Sequence, residues 1–149
     1  MATSPYLIML VDDNDDHCML IEDVLISTGF ARKVIRFPDA ESVLPHLLDP
    51  GKSHSFSNSQ LPDFFMVDIQ LPGMSGIELL RQLKANPITS PVPAIMLTTS
   101  EDTGHIEESF ALGAADYLIK PINHDELTRK FQDMKLHWDQ RTRLPEPVE

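Results

Sequence analysis

Only one cysteine, Cys18, occurs among the 149 residues, so no disulfide can form within the chain and the fold must rest on its packed core. Positive charge is scarce too. Twelve Lys and Arg against 23 Asp and Glu leave a net charge of −11, which opposes nucleic acid and anionic membranes and argues against direct reading of DNA. No apolar run approaches the ~20 residues that span a bilayer. The run Tyr6 to Val11 is too short for a signal-peptide core and ends in two aspartates, so the expected location is the cytoplasm. Internal repeats are absent. The six histidines, His17, His46, His54, His105, His124 and His137, show no metal-ligand spacing with one another or with Cys18.

What is present is enough apolar material, 42% of the chain, to build one ordinary globular core. Five short apolar runs alternate with helix-like segments, an order that implies parallel strands joined by helical crossovers in a doubly wound α/β fold. The runs are Leu7 to Val11, Lys33 to Phe37, Phe64 to Ile69, Ala94 to Thr98 and Asp116 to Ile119. The first, third and fourth are apolar at nearly every position, which marks central strands covered on both faces.

Helical spacing predicts a first helix over Asp15 to Ser27, with Cys18 near its start as a packing residue and Leu20, Ile21, Val24 and Leu25 inward. Gly29 stands just beyond its end. A third helix is expected over Ser75 to Ala85 with Ile77, Leu80 and Leu83 inward, and a weaker fourth over Thr103 to Leu112. The fifth, His124 to Gln140, carries an apolar stripe of Leu127, Phe131, Met134 and Trp138. Helix two conflicts with its own sequence, because Pro45 falls inside Asp39 to Leu48: either the helix starts late at Ser42 or it is kinked. Asp49 to Pro62 reads as a surface excursion, and Arg141 to Glu149, with two prolines, as an irregular tail. The expected organisation is one domain over 1–149 with its core at about 6–140.

In an open parallel sheet, ligands bind beyond the carboxyl ends of the strands. Asp12 and Asp13 follow strand one, Asp68 lies late in strand three, Thr98 and Thr99 close strand four, and Lys120 closes strand five. The sheet would gather three carboxylates, a hydroxyl and an ammonium in one crevice. Clustered carboxylates repel one another, and a hard divalent ion such as Mg²⁺ relieves that repulsion while holding a phosphoryl oxygen.

Over about Tyr6 to Gln140 the sequence resembles the response-regulator receiver family of two-component signalling, through LIMLVDDN, FFMVDIQLPGMSGIELL, AIMLTTS and GAADYLIKP. The resemblance implies the flavodoxin-like strand order 2-1-3-4-5. It further implies that Asp68 is the phosphoacceptor, that Asp12 and Asp13 hold Mg²⁺ with Asp68, and that Gln70 adds its backbone carbonyl as a ligand. Thr98 would bond the phosphoryl group, Lys120 would pair with another of its oxygens, and Tyr117 would turn inward as Thr98 moves. The bond from Lys120 to Pro121 would be cis. Partners implied are a sensor histidine kinase or a histidine phosphotransfer protein, a downstream protein target, and a second copy in a homodimer. The excursion at Asp49 to Pro62 and the end around Trp138 to Pro145 resemble single-domain regulators that partner bacterial phytochrome kinases.

Gln70 departs from the shorter Asn or Met often found in the family, and Thr99 from a small Ala or Gly, which bears on water access and on how long the phosphorylated state lasts. Rival classes fit less well. An aspartyl-nucleophile phosphatase needs a second Asp two residues after its nucleophile, where Gln70 stands. A flavodoxin-like cofactor binder needs Ser, Thr and Gly after strand one, where Asp12, Asp13, Asp15 and Asp16 stand. A pseudo-receiver would not need the intact acid, Thr and Lys set. With nine residues after the last helix, no output domain is expected, so output passes through protein contacts or a phosphorelay. Chemistry is expected to be confined to the chain's own phosphorylation and dephosphorylation.

Overall fold

The computed structural model describes residues 6–47, 61–99, 103–120 and 123–143, with side chains as far as 133. Five strands, β1 (Tyr6–Val11), β2 (Ala31–Phe37), β3 (Phe64–Asp68), β4 (Ala94–Thr99) and β5 (Asp116–Lys120), alternate with five helices. The helices are α1 (Asp15–Ser27), α2 (Ala40–Leu47), α3 (Gly76–Ala85), α4 (Thr103–Ala111) and α5 (His124–Arg143). All four strand pairings are parallel, and the order is β2-β1-β3-β4-β5, as the resemblance implies.

Side chains alternate across the sheet with the period of two that a strand imposes, and this divides the core. Ile8 and Leu10, Phe64 and Met66, and Ile95 and Leu97 face α1 and α5, where Ile21, Val24, Leu25, Leu127 and Phe131 cover them. Met9 and Val11, Phe65 and Val67, and Met96 face the other way, under Val43, Leu47, Leu79, Leu80 and Leu83. Because β1, β3 and β4 are apolar on both faces, neither face can open to water without exposing several fully buried side chains. Each such chain is worth about 2–3 kcal/mol in transfer free energy. At the amino edge Tyr6, Phe30, Phe64 and Phe131 form an aromatic group with ring centroids 5.0 to 5.4 Å apart.

Local signals set the helix ends. Asn14 caps α1 by accepting the His17 N–H at 2.9 Å, and Gly29 at φ 79° lets the chain turn back into β2. Ser75 caps α3 through the Glu78 N–H. The start of α2 lies at Ala40 rather than late at Ser42, because Asp39 Oδ1 accepts both the Ser42 N–H at 2.8 Å and its hydroxyl at 2.6 Å. Pro45 therefore sits inside the helix, where it removes the donor for the Glu41 carbonyl.

Strand ends differ from expectation by one or two residues: β1 and β2 begin earlier, β3 stops at Asp68, and β4 and β5 run on to Thr99 and Lys120. The last helix passes Gln140 to reach Arg143. Arg141 and Arg143 are good helix formers whose charge suits a helix C-terminus, so the irregular tail expected from Arg141 does not begin there. Residues 48–60, Pro121 and 144–149 lie outside the described residues, as do the side chains of Met134 and Trp138. The cis bond expected before Pro121 and most of the excursion expected over Asp49 to Pro62 therefore fall outside the described residues.

Cys18 is buried under β1, with its Sγ 3.4 Å from the Asp12 carbonyl oxygen. Burial, reinforced by the Asp12 charge, pushes its thiol from 9.0 up to about 11. Above pH 9 the unfolded chain releases this proton while the fold keeps it, so folding stability contributed by the neutral thiol is lost as pH rises from 9 to 11. Unfolding free energies from urea titrations should fall more steeply over that range for the wild type than for Cys18→Ala, by about 2 kcal/mol between pH 9 and 11, at ~1.4 kcal/mol per pKa unit. Native Cys18 should also resist iodoacetamide at pH 8 and react fully in urea.

Candidate functional site

Each residue of the site stands where a strand ends. Asp12 follows β1 directly and is fully buried, its N–H donating to the Phe37 carbonyl at 3.0 Å. Asp13, next in sequence, is exposed. Asp68 closes β3 and is also buried, with Oδ1 accepting the Gln70 N–H at 2.9 Å. Lys120 closes β5, and its Nζ lies 2.7 Å from Asp68 Oδ2 and 3.2 Å from Asp12 Oδ2. Two buried carboxylates thus share one ammonium. Thr98, nearly inaccessible, donates its hydroxyl to the Thr99 carbonyl at a long 3.3 Å.

Burial pushes the Asp68 carboxyl above its ordinary range, against the pull of Lys120 and of the Gln70 amide. For Lys120, burial works to strip the proton, yet the hydrogen bond and charge of Asp68 and the charge of Asp12 prevail and raise its pKa. Lys120 therefore stays charged. One ammonium against Asp12, Asp68 and Asp13 leaves the cluster negative. Oxygen atoms of these three acids lie within 4.8 Å of one another. Asp12 Oδ2 is buried without a hydrogen-bond partner among the described residues, and the Lys120 ammonium lies 3.2 Å from it as an ion-pair partner. Hard oxygen donors at this spacing, with a net negative charge, fit a divalent cation.

The acids, Thr98 and Lys120 come together as expected at the carboxyl edge. Gln70 joins them through its backbone N–H, and its side chain is exposed. Tyr117 lies further back on β5, opposite Met96, and packs edge-on against Phe110 of α4 with centroids 5.8 Å apart. Three residues not singled out by sequence reasoning also hold the site. A Cβ at Gly76 would collide with the Asp68 carbonyl oxygen, and the Gly76 N–H donates to the Ile69 carbonyl at 2.9 Å. Glu41 of α2 accepts the Met74 N–H at 2.8 Å and so steadies the turn after Asp68, where Gly73 has φ +72°. Arg36 of β2 reaches Asp12 and Asp15. The visible sequence signal for Gly76 was a glycine at a first helical position; Glu41 and Arg36, bonded across 33 and 24 residues, left none.

An open five-stranded parallel sheet with its acids and its lysine at one edge defines a doubly wound α/β protein with a ligand site at the carboxyl ends of its strands. Residues 8–132 match the response regulator receiver domain, and the chain belongs to that family. It is a two-component signalling protein of the kind that accepts a phosphoryl group on an aspartate. It is 30% identical to the probable methanogenesis regulatory protein FilR2 of Methanothrix harundinacea, over 99% of this chain and 92% of the relative. It is 28% identical to response regulator Rcp1 of Synechocystis, over 97% and 96% of the two chains. The Mn²⁺-bound crystal structure of Rcp1 superposes with a TM-score of 0.72 at 27% identity, covering 90% of this chain and 94% of that one. The phosphorylated cyanobacterial phytochrome response regulator RcpA gives a TM-score of 0.74 at 26% identity, covering 92% and 94%. Among the described residues no helix is long and apolar enough to cross a membrane.

Two outcomes follow from this geometry. Gly76→Ala should lower stability by about 1–3 kcal/mol, the usual cost of overpacking, read as a fall in the urea midpoint. Lys120→Ala removes a cation beside the acids and should bind Mg²⁺ at least as tightly as the wild type in calorimetric titration. Weaker binding by an intact fold would contradict the placement of Lys120.

Proposed function

We propose that Asp68 is the phosphoacceptor of this receiver. Mg²⁺ is held by Asp12, Asp13, Asp68 and the Gln70 backbone carbonyl, and the donor is a sensor histidine kinase or a histidine phosphotransfer protein. The observation that carries this reading is the Lys120 ammonium bridging Asp68 Oδ2 and Asp12 Oδ2 at the edge of the sheet. A carboxylate attacking a phosphoryl group meets a second anion, so the task is charge neutralisation and positioning. Mg²⁺, when bound, supplies the larger share of that positive charge. One Asp68 oxygen forms the new bond to phosphorus as the bond to the donor's leaving group breaks, which yields an acyl phosphate.

Lys120 already pairs with Asp68 and moves to a phosphoryl oxygen with little rearrangement. The Thr98 hydroxyl, held among the described residues by its long bond to Thr99, is the donor proposed for another. As Thr98 shifts, Tyr117 follows inward, and the face made by α4, β5 and α5 presents the changed surface to a protein target or a second copy. The likeness to Rcp1 and RcpA supports a phytochrome-type kinase as the donor. One receiver domain spans 1–149, in the cytoplasm, and catalyses only its own phosphorylation and dephosphorylation.

The test uses acetyl phosphate without a kinase. Intact mass should show one added phosphoryl group in the wild type with Mg²⁺, little with chelator, and none at this site in Asp68→Asn. Asp13→Asn keeps the nucleophile and should react much more slowly. Equal labelling of Asp68→Asn would show that another residue accepts the group. A folded wild type that stays unmodified with several donors would favour a pseudo-receiver that acts by binding alone.

A further inference from the structure

Arg36 is the penultimate residue of β2, an edge strand, and its side chain is 30% exposed. Its guanidinium crosses to the acidic turn after β1. Nε and Nη2 donate to the Asp12 carbonyl oxygen at 3.2 and 3.1 Å, while Nη1 donates to Asp15 Oδ1 at 2.6 Å. Only arginine offers such a planar fork; a lysine could place one point charge there but not three directed donors. The same carbonyl accepts the Cys18 thiol at 3.4 Å, and the Asp12 side chain accepts the Asn14 N–H at 2.9 Å.

Asp12 is therefore held through both its main chain and its side chain. The turn needs that restraint, because Asp12, Asp13, Asp15 and Asp16 fall within five residues and repel one another. Left to itself, the turn would relax by moving these charges apart, and the oxygens of Asp12 and Asp13 would leave their position near Asp68. Arg36 itself makes no described hydrogen bond to Asp68 or Lys120.

We propose that Arg36 is a positioning residue for the divalent-cation site, one that fixes the main chain at Asp12 so that the carboxylates of Asp12 and Asp13 converge on Asp68. This rests on the reading of those acids as the Mg²⁺ ligands. Two effects of Arg36 on Mg²⁺ have opposite signs. Its charge repels the cation, so charge alone makes its removal strengthen binding. Its fork orders the ligands, so geometry makes its removal weaken binding. The sign of the change identifies which effect governs.

Calorimetric titration of the full chain with Mg²⁺, without any phosphodonor, separates them. Arg36→Lys keeps the charge and loses the fork; it should bind Mg²⁺ about tenfold more weakly than the wild type, the lower end of losses seen when residues that orient metal ligands are removed. Amide exchange at Asn14 and His17 should quicken in that variant, while exchange in β3 stays as in the wild type and certifies the fold. Arg36→Ala loses the fork and the repelling charge together, so it should bind more weakly than the wild type but less weakly than Arg36→Lys. Wild-type affinity in Arg36→Lys together with tighter binding in Arg36→Ala would overturn the proposal and leave Arg36 a mere charge. A wild type that takes up no Mg²⁺ would instead overturn the cation reading itself, and this proposal with it.

Discussion

A single ammonium group between two buried carboxylates is the constraint on which the carboxyl edge depends. Lys120 reaches Asp68 and Asp12 from the far end of β5, so it ties three strands together at the point where the sheet stops. Both acids are nearly inaccessible to water, so the ammonium offsets the cost of burying charge at this edge. The arrangement is balanced but not neutral. Asp13 adds a further charge, and the surplus suits a divalent cation. A site built this way is held by the sheet and yet remains electrostatically incomplete, which suits a signalling centre that must respond to an added charge.

Much of this was legible from the sequence, and the reasons are local. The unbroken apolar runs of β1, β3 and β4 and the turn signals between them suffice to imply a parallel sheet with these strands at its centre, its full order coming from the family resemblance, and α1 spans Asp15–Ser27 as its spacing predicts. The acids, Thr98 and Lys120 could be assembled because a parallel sheet sends every strand's carboxyl end to one side. What the sequence hid was either competition or distance. Pro45 argued for a late or kinked α2, yet the Asp39 cap outweighs it and starts the helix at Ala40. Edge strand β2 reads as mixed because it is covered less evenly, so its first two residues escaped. Glu41 and Arg36 matter through partners 33 and 24 residues away, and no periodic pattern marks such pairs, while Gly76 matters through a close approach to Asp68 that sequence alone does not show.

The supports around Asp68 arrive from different layers. Gly76 brings the start of α3 against its carbonyl, Glu41 steadies the following turn from α2, and Arg36 acts on Asp12 from β2. Gln70 and Thr99, the two departures from the family's usual residues, join the site through backbone groups, the Gln70 N–H to Asp68 and the Thr99 carbonyl to Thr98, with Gln70 exposed. In the proposed reading they flank the phosphoryl group and bear on the access of water to it.

The solitary buried thiol has a practical side for anyone who wishes to watch this molecule move. Cys18 is the one cysteine of the chain and lies beneath β1. A second cysteine placed at an exposed position of α4, such as Glu107, would then be the only thiol open to a maleimide dye or spin label. Fluorophores and paramagnetic tags could be attached to the natural background, with no need to excise Cys18 and accept the cavity its loss would leave.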